Sequence, residues 1–255
     1  MNLRVILSLL FLSVFLNVFG QQETYFYKIQ TITTQVHSAS ELYKKIDSLK
    51  QTRRPHDSYI KVLFDRDVDF GYKHKRIQIV FNSDCYYQLN LLIKNDTICL
   101  SSTTFALYDF GIGHYYDQFN KRHSIPVADS VKATNYLKLR NQFYRSTKTL
   151  NDLKNELDLN ELYALRGGDG YNETWDKKHI DTLVRNKNFA ELEKMLKSIN
   201  CETQTYSVYG FYLLKKNRIK IPLKDQRIID YIKWRNSDLE SCAGDICNII
   251  WKAFK

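Results

Sequence analysis

The sequence predicts an α+β protein: a small antiparallel β-sheet with a flanking helix, followed by an antiparallel helical array. Three observations carry this expectation. Apolar and polar residues alternate between Tyr59 and Leu100, the period of half-buried strands. From Asp129 onward apolar residues recur at three- and four-residue spacing, the period of helices. Only 9 Gly and 3 Pro stand among 255 residues, too few for a chain built of tight turns or linkers. Hydrophobic residues make up 44% and charged residues 26%, a globular composition that excludes a disordered chain or a polytopic membrane protein.

Residues 1–20 read as a signal peptide. Arg4 precedes an apolar run from Val5 to Phe19 that is broken only by Ser8, Ser13 and Asn17. That run is shorter than the roughly 20 residues a bilayer-spanning helix needs. Gly20, with Val18 two residues before it, suits cleavage after Gly20 and a mature chain starting at Gln21. The competing reading is an uncleaved N-terminal anchor; a lipid anchor is disfavoured because the segment has no cysteine. No later stretch is long and apolar enough to cross a membrane, so the expected product is exported and soluble, periplasmic or secreted.

Two halves follow, a β-rich one over 21–127 and an α-helical one over 128–255. Glu23 to His37, rich in Tyr, Ile and Thr, reads as a first strand. Leu42, Ile46 and Leu49 behind Ser38 and Ser40 predict a short helix over Ser40 to Lys50. Ile60, Val62 and Phe64, then Ile77, Ile79 and Phe81, then Tyr87, Leu89, Leu91 and Ile93 alternate as strands, and Ile98 and Leu100 open another after a turn at Asn95-Asp96. An antiparallel meander with one face on a core and one face in water is the economical reading. Phe110 to Pro126 is irregular and marks the boundary. Helices are expected at Ala128–Ser146, Leu150–Leu159, Asp176–Asn186, Phe189–Ile199, Thr203–Asn217 and Lys224–Asn236, with short links that force neighbours side by side. The Thr203 helix is apolar nearly all round and should lie centrally, with Gly210 marking a close helix crossing and Asn217 a C-cap.

An exported chain can keep disulfides. Of the five cysteines, Cys242 and Cys247 enclose only four residues and form the favoured pair. A turn at Asn95-Asp96 would set Cys99 opposite Leu92, so register argues against Cys85 bridging Cys99. Zinc is disfavoured, since there is no CxxC and no His at ligand spacing. No cofactor signature is present.

The motifs that bear on chemistry are few. GIGHYYD, Gly111 to Asp117, sets His114 beside glycines and a carboxylate, and a general base at His114 converging with Asp117 or Asp169 would make a hydrolase between the two halves. No GxSxG element accompanies it, and a loop histidine is more often structural. RGGDGYNE, Arg166 to Glu173, has calcium-loop composition without EF-hand spacing, so a plain glycine turn is preferred.

Charge is more informative. The formal charge is +10, and 215–235 alone hold eight basic residues against Asp225 and Asp230. On the last long helix Ile228, Ile229 and Ile232 fall on one side, while Lys224, Arg227, Tyr231, Trp234 and Arg235 group on an adjoining one. Cations beside aromatics suit an anionic glycan, a lipid head group or an acidic protein, with no signature of specific nucleic-acid recognition. The plainer account is a solvated face with Trp234 packed on a neighbour.

Tyr206–Asn217 (YSVYGFYLLKKN), Lys224–Asp238 (KDQRIIDYIKWRNSD), the CAGDIC cysteine pair and the Gln after the leader together resemble uncharacterised exported proteins of Bacteroidota bacteria, over the C-terminal third of the chain. The resemblance implies a periplasmic or secreted location and no particular chemistry. Cys242 and Cys247 stand further apart than the pair typical of that family. The sequence reading is thus an exported binding module, with the hydrolase around His114 as its alternative.

Overall fold

The computed structural model describes residues 26–49, 59–82, 85–107, 123–124, 129–167, 172–243 and 246–254. Two helices come first, α1 over 26–35 and α2 over Ala39–Asp47. The strand expected over Glu23 to His37 is therefore corrected: its described part is helical. Phe26, Ile29, Thr33 and Val36 are buried at helical spacing. The threonines that suggested extended chain turn their hydroxyls back onto the helix, Thr33 Oγ1 donating to the Ile29 and Gln30 carbonyls at 2.8 Å each, a bonding mode open to Thr within helices. The N-cap of α2 is Ser38, accepting from Glu41 N, rather than Ser40, which lies inside the first turn. Asp96 reaches both serines, accepting from Ser38 Oγ at 2.5 Å and Ser40 Oγ at 2.9 Å.

The meander is as the alternation predicts: β1 Tyr59–Asp67, β2 Lys73–Asn82, β3 Cys85–Lys94 and β4 Thr97–Leu107, antiparallel in order, with the short β5 His123–Ser124 beside β4. Asn95 and Asp96 both take positive φ, 48° and 64°, as a two-residue hairpin turn of the I′ kind requires. The register opens at Lys94 against Thr97, but a shift then sets Leu92 against Leu100 rather than Cys99. Cys85 lies opposite Leu107, so the hairpin does not bring it to Cys99, which is free and buried.

Both faces of this sheet are covered, which corrects the expectation of a wet face. On one side Ile77, Ile79, Tyr87, Leu89, Leu91, Ile93 and Ile98 form a single apolar cluster with Ile29, Leu42 and Ile46 of α1 and α2. On the other, Arg66, His74, Arg76, Gln88 and Asn90 are also buried, and the second half of the chain covers them.

That half supplies α3 Ser130–Tyr144, α4 Leu150–Leu157, the short strands β6 Arg166–Gly167 and β7 Asn172–Glu173, then α5 Trp175–Arg185, α6 Phe189–Leu196, α7 Cys201–Lys216 and α8 Leu223–Arg235. Asp129, Thr149, Thr174, Asn188 and Asn200 each cap the helix that follows by accepting from its third residue's N–H. Gly210 of α7 has the expected reason: a Cβ there would stand 2.7 Å from Leu192 Cδ2 and 3.2 Å from Ile180 Cγ2, so α5 and α6 lie directly on α7. The large core cluster includes Leu92 and Leu100 of the sheet together with Tyr136, Leu153, Phe211 and Ile228. The C-terminal segment does not continue as helix: β8 Asp238–Ala243 and β9 Ile246–Lys252 form a hairpin, and β8 lies against β1, where Arg66 donates to the Asp238 carbonyl. No helix among the described residues is long and apolar enough to cross a membrane.

Candidate ligand-binding cleft

Most arginines nearest the core are already engaged, and this decides where a ligand can be held. Arg66 pairs with Glu202 and also donates to the Asp238 carbonyl at 3.2 Å. Arg76 pairs with Glu240 at 3.1 Å and donates to Asn90 Oδ1 at 2.7 Å. Both guanidiniums lie over the Phe64 ring, at 4.1 and 4.9 Å from its centroid. His74 is enclosed between them; burial first, then the two guanidiniums, push its imidazole well below the ordinary histidine range. Arg140 meets Asp69 at 2.7 Å, and Tyr144 donates to the same carboxylate at 2.8 Å. Burial alone would raise the Asp69 carboxyl, yet Arg235 and Arg140 hold it below the usual range.

Arg235 is therefore not on the exposed basic face that the helical wheel assigns it. It pairs with Asp69, donates to Gln204 Oε1 at 2.7 Å and to Ser237 Oγ at 2.7 Å, and is nearly sealed from solvent. The reason is its place in the last turn of α8, beside the Asp69–Gly71 3₁₀ turn. Tyr231 is half-buried, its ring 6.2 Å from Phe70 and 4.7 Å from Phe143, and its hydroxyl accepts from Phe70 N at 3.3 Å. Lys224, Arg227 and Trp234 are exposed, Trp234 at 79%, so the expectation that Trp234 packs on a neighbouring helix does not hold.

Lys224 and Arg227 do face a concavity. A cleft of about 610 Å³ opens between the C-terminal ends of α3 and α6 and the first turns of α8, within the size range of small-ligand sites. Phe70, Phe143 and Leu139 give it an apolar side; Arg145, Lys197, Lys224 and Arg227 give it a cationic rim. Glu193 holds two of these cations, accepting from Lys197 at 2.7 Å and Lys224 at 2.8 Å, and those bonds lower its carboxyl. The guanidiniums of Arg145 and Arg227 have no hydrogen-bond or ion-pair partner among the described residues.

Sequence reasoning found Lys224 and Arg227 but not Arg145, Phe70 or Asp225. Arg145 ends α3 in left-handed geometry at φ 49°, and Phe70 sits at φ 60° in the 3₁₀ turn. Neither residue type announces such a conformation. Asp225 is visible in the sequence only as a minority acid in a basic run.

His114, Asp117 and Asp169 lie outside the described residues, as do the side chains of Cys242 and Cys247, whose strands meet at the Ala243–Ile246 pair. Among the described residues no group of three or more His, Cys, Asp or Glu is placed to hold a metal ion. In comparisons with known proteins, no family model, no curated protein and no solved structure matches this chain.

Proposed function

We propose that this protein is an exported binding module that holds an anionic ligand in the cleft between α3, α6 and α8. One observation carries the reading: Arg145 and Arg227 stand on a concave rim with no carboxylate partner among the described residues, whereas Arg66 and Arg76 each pair with a buried acid of their own and Arg140 and Arg235 share Asp69. A guanidinium offers a planar fork that matches carboxylate, sulfate or phosphate. From the cleft, Arg227, Tyr231 and Trp234 continue along one stripe of α8, with Tyr231 and Trp234 rings 5.9 Å apart. Export is supported by the leader-like residues 1–20. In an oxidising compartment Cys242 and Cys247 would close the β8–β9 hairpin.

The test is salt elution from dextran sulfate. The wild-type chain is expected to elute at lower salt once Arg145 and Arg227 are both replaced by Ala. Replacing Arg166 and Arg185, an equal loss of charge away from the cleft, is expected to change elution much less. Equal shifts for the two double variants would reduce the binding to net charge and end the cleft reading.

A further inference from the structure

We infer that the ligand of this cleft is an acidic saccharide, because one wall presents guanidiniums without acids and another a buried carboxyl without a donor. The inference rests on the anion-binding reading above and narrows its ligand.

Asp225, the third residue of α8, is only 2% exposed. Its carboxyl has no hydrogen-bond or ion-pair partner among the described residues, and Oδ1 is sealed from solvent. The nearby cations do not meet it: Lys197 and Lys224 both donate to Glu193. Burial, with Glu193 adding to it, raises the Asp225 carboxyl. A buried acceptor of this kind is costly until a donor reaches it, and Asp225 borders the cleft.

A ligand that satisfies the whole cleft must therefore bring two kinds of group. It needs an anion for Arg145 and Arg227 and a hydrogen-bond donor for Asp225. Sulfate and simple polycarboxylates carry acceptors alone at neutral pH, so they would place like charge against Asp225; hydrogen phosphate has a hydroxyl, but on the anionic group itself, and offers nothing to the apolar side of the cleft. A saccharide bearing carboxylates or sulfates carries hydroxyl donors on the same rings, and its C–H surfaces suit Phe70, Phe143 and the exposed Leu139. An acidic peptide shares the anion but offers only N–H groups fixed to an extended backbone.

The experiment is calorimetric titration of the mature chain with trigalacturonic acid, tricarballylate and triglutamate. All three are polycarboxylates, but only the first is rich in hydroxyls. The wild-type chain is expected to prefer trigalacturonic acid by about tenfold, since a site built for hydroxyl donors rejects analogues without them. Asp225→Ala is expected to remove about that preference, by weakening trigalacturonic acid binding while tricarballylate binds as well as before or better, and Arg145→Ala is expected to weaken both. Tricarballylate or triglutamate binding as tightly as the saccharide in the wild-type chain would overturn the inference without any variant, and would leave the anion site standing. Failure of all three to bind, together with loss of the dextran sulfate effect, would remove the site itself.

Discussion

The two faces of the one sheet are buried by opposite chemistry. Toward α1 and α2 the meander presents Ile77, Ile79, Leu89 and Leu91 to Ile29, Leu42 and Ile46, a contact that needs only shape and apolar area. Toward α7 and β8 it presents Arg66, His74 and Arg76 to Glu202 and Glu240, with Asn90 donating to Asp158 at 3.1 Å. Area can be lost or gained in small steps, but a buried charge must be met by its partner. The first face should tolerate apolar exchange; the second should fix how the two halves sit together.

The largest expected effect breaks that second face. Glu202→Ala strands Arg66 in the interior and should cost about 3–5 kcal/mol in denaturant unfolding. Arg66→Met combined with Glu202→Leu should recover most of the loss, since a buried pair exchanged for apolar residues is often neutral. A double variant no more stable than Glu202→Ala would mean that the pair contributes net stability. The next effect concerns acid. His74 is held neutral in the fold while in the unfolded chain it takes up a proton near pH 6.5, so stability should be lost as pH falls below about 6.5, by up to ~1.4 kcal/mol per pH unit. Unfolding midpoints at neutral and mildly acid pH, compared with those of His74→Asn, check this; parallel curves for the two chains would refute it. The smallest effect sharpens the apolar face. Thr103 is buried with its hydroxyl unpartnered among the described residues, so Thr103→Val should stabilise the chain by about 1 kcal/mol in thermal unfolding, and a destabilised variant would point to a bound water.

The contrast between the faces also explains what was legible in the sequence. The four long strands and α2 to α8 follow from periodicity, because each carries its apolar residues at the spacing its own geometry buries. The covered second face was not legible. Arg66, His74 and Arg76 alternate like solvent-facing residues, and their acidic partners are 136 and 164 residues away, beyond any local pattern. Arg235 misled for the same reason. The α1 helix was hidden by threonines whose hydroxyls bond within the helix, and the β8–β9 hairpin by a short stretch whose one strong inward apolar residue in β8 is Leu239. At the cleft, Lys224 and Arg227 could be read from charge. Arg145 and Phe70 could not, since left-handed backbone places them, nor could Asp225, since its isolation depends on lysines that turn to Glu193 instead.

Gly210 bears on kinship. The 2.7 Å approach of Leu192 to the position of a missing Cβ is a constraint that divergence must respect. A descendant that gains a side chain at 210 must first shrink the residues at 192 or 180, or let α7 slide. Position 210 and its two facing positions are thus sterically coupled, and a change at one is expected to need a compensating change at another.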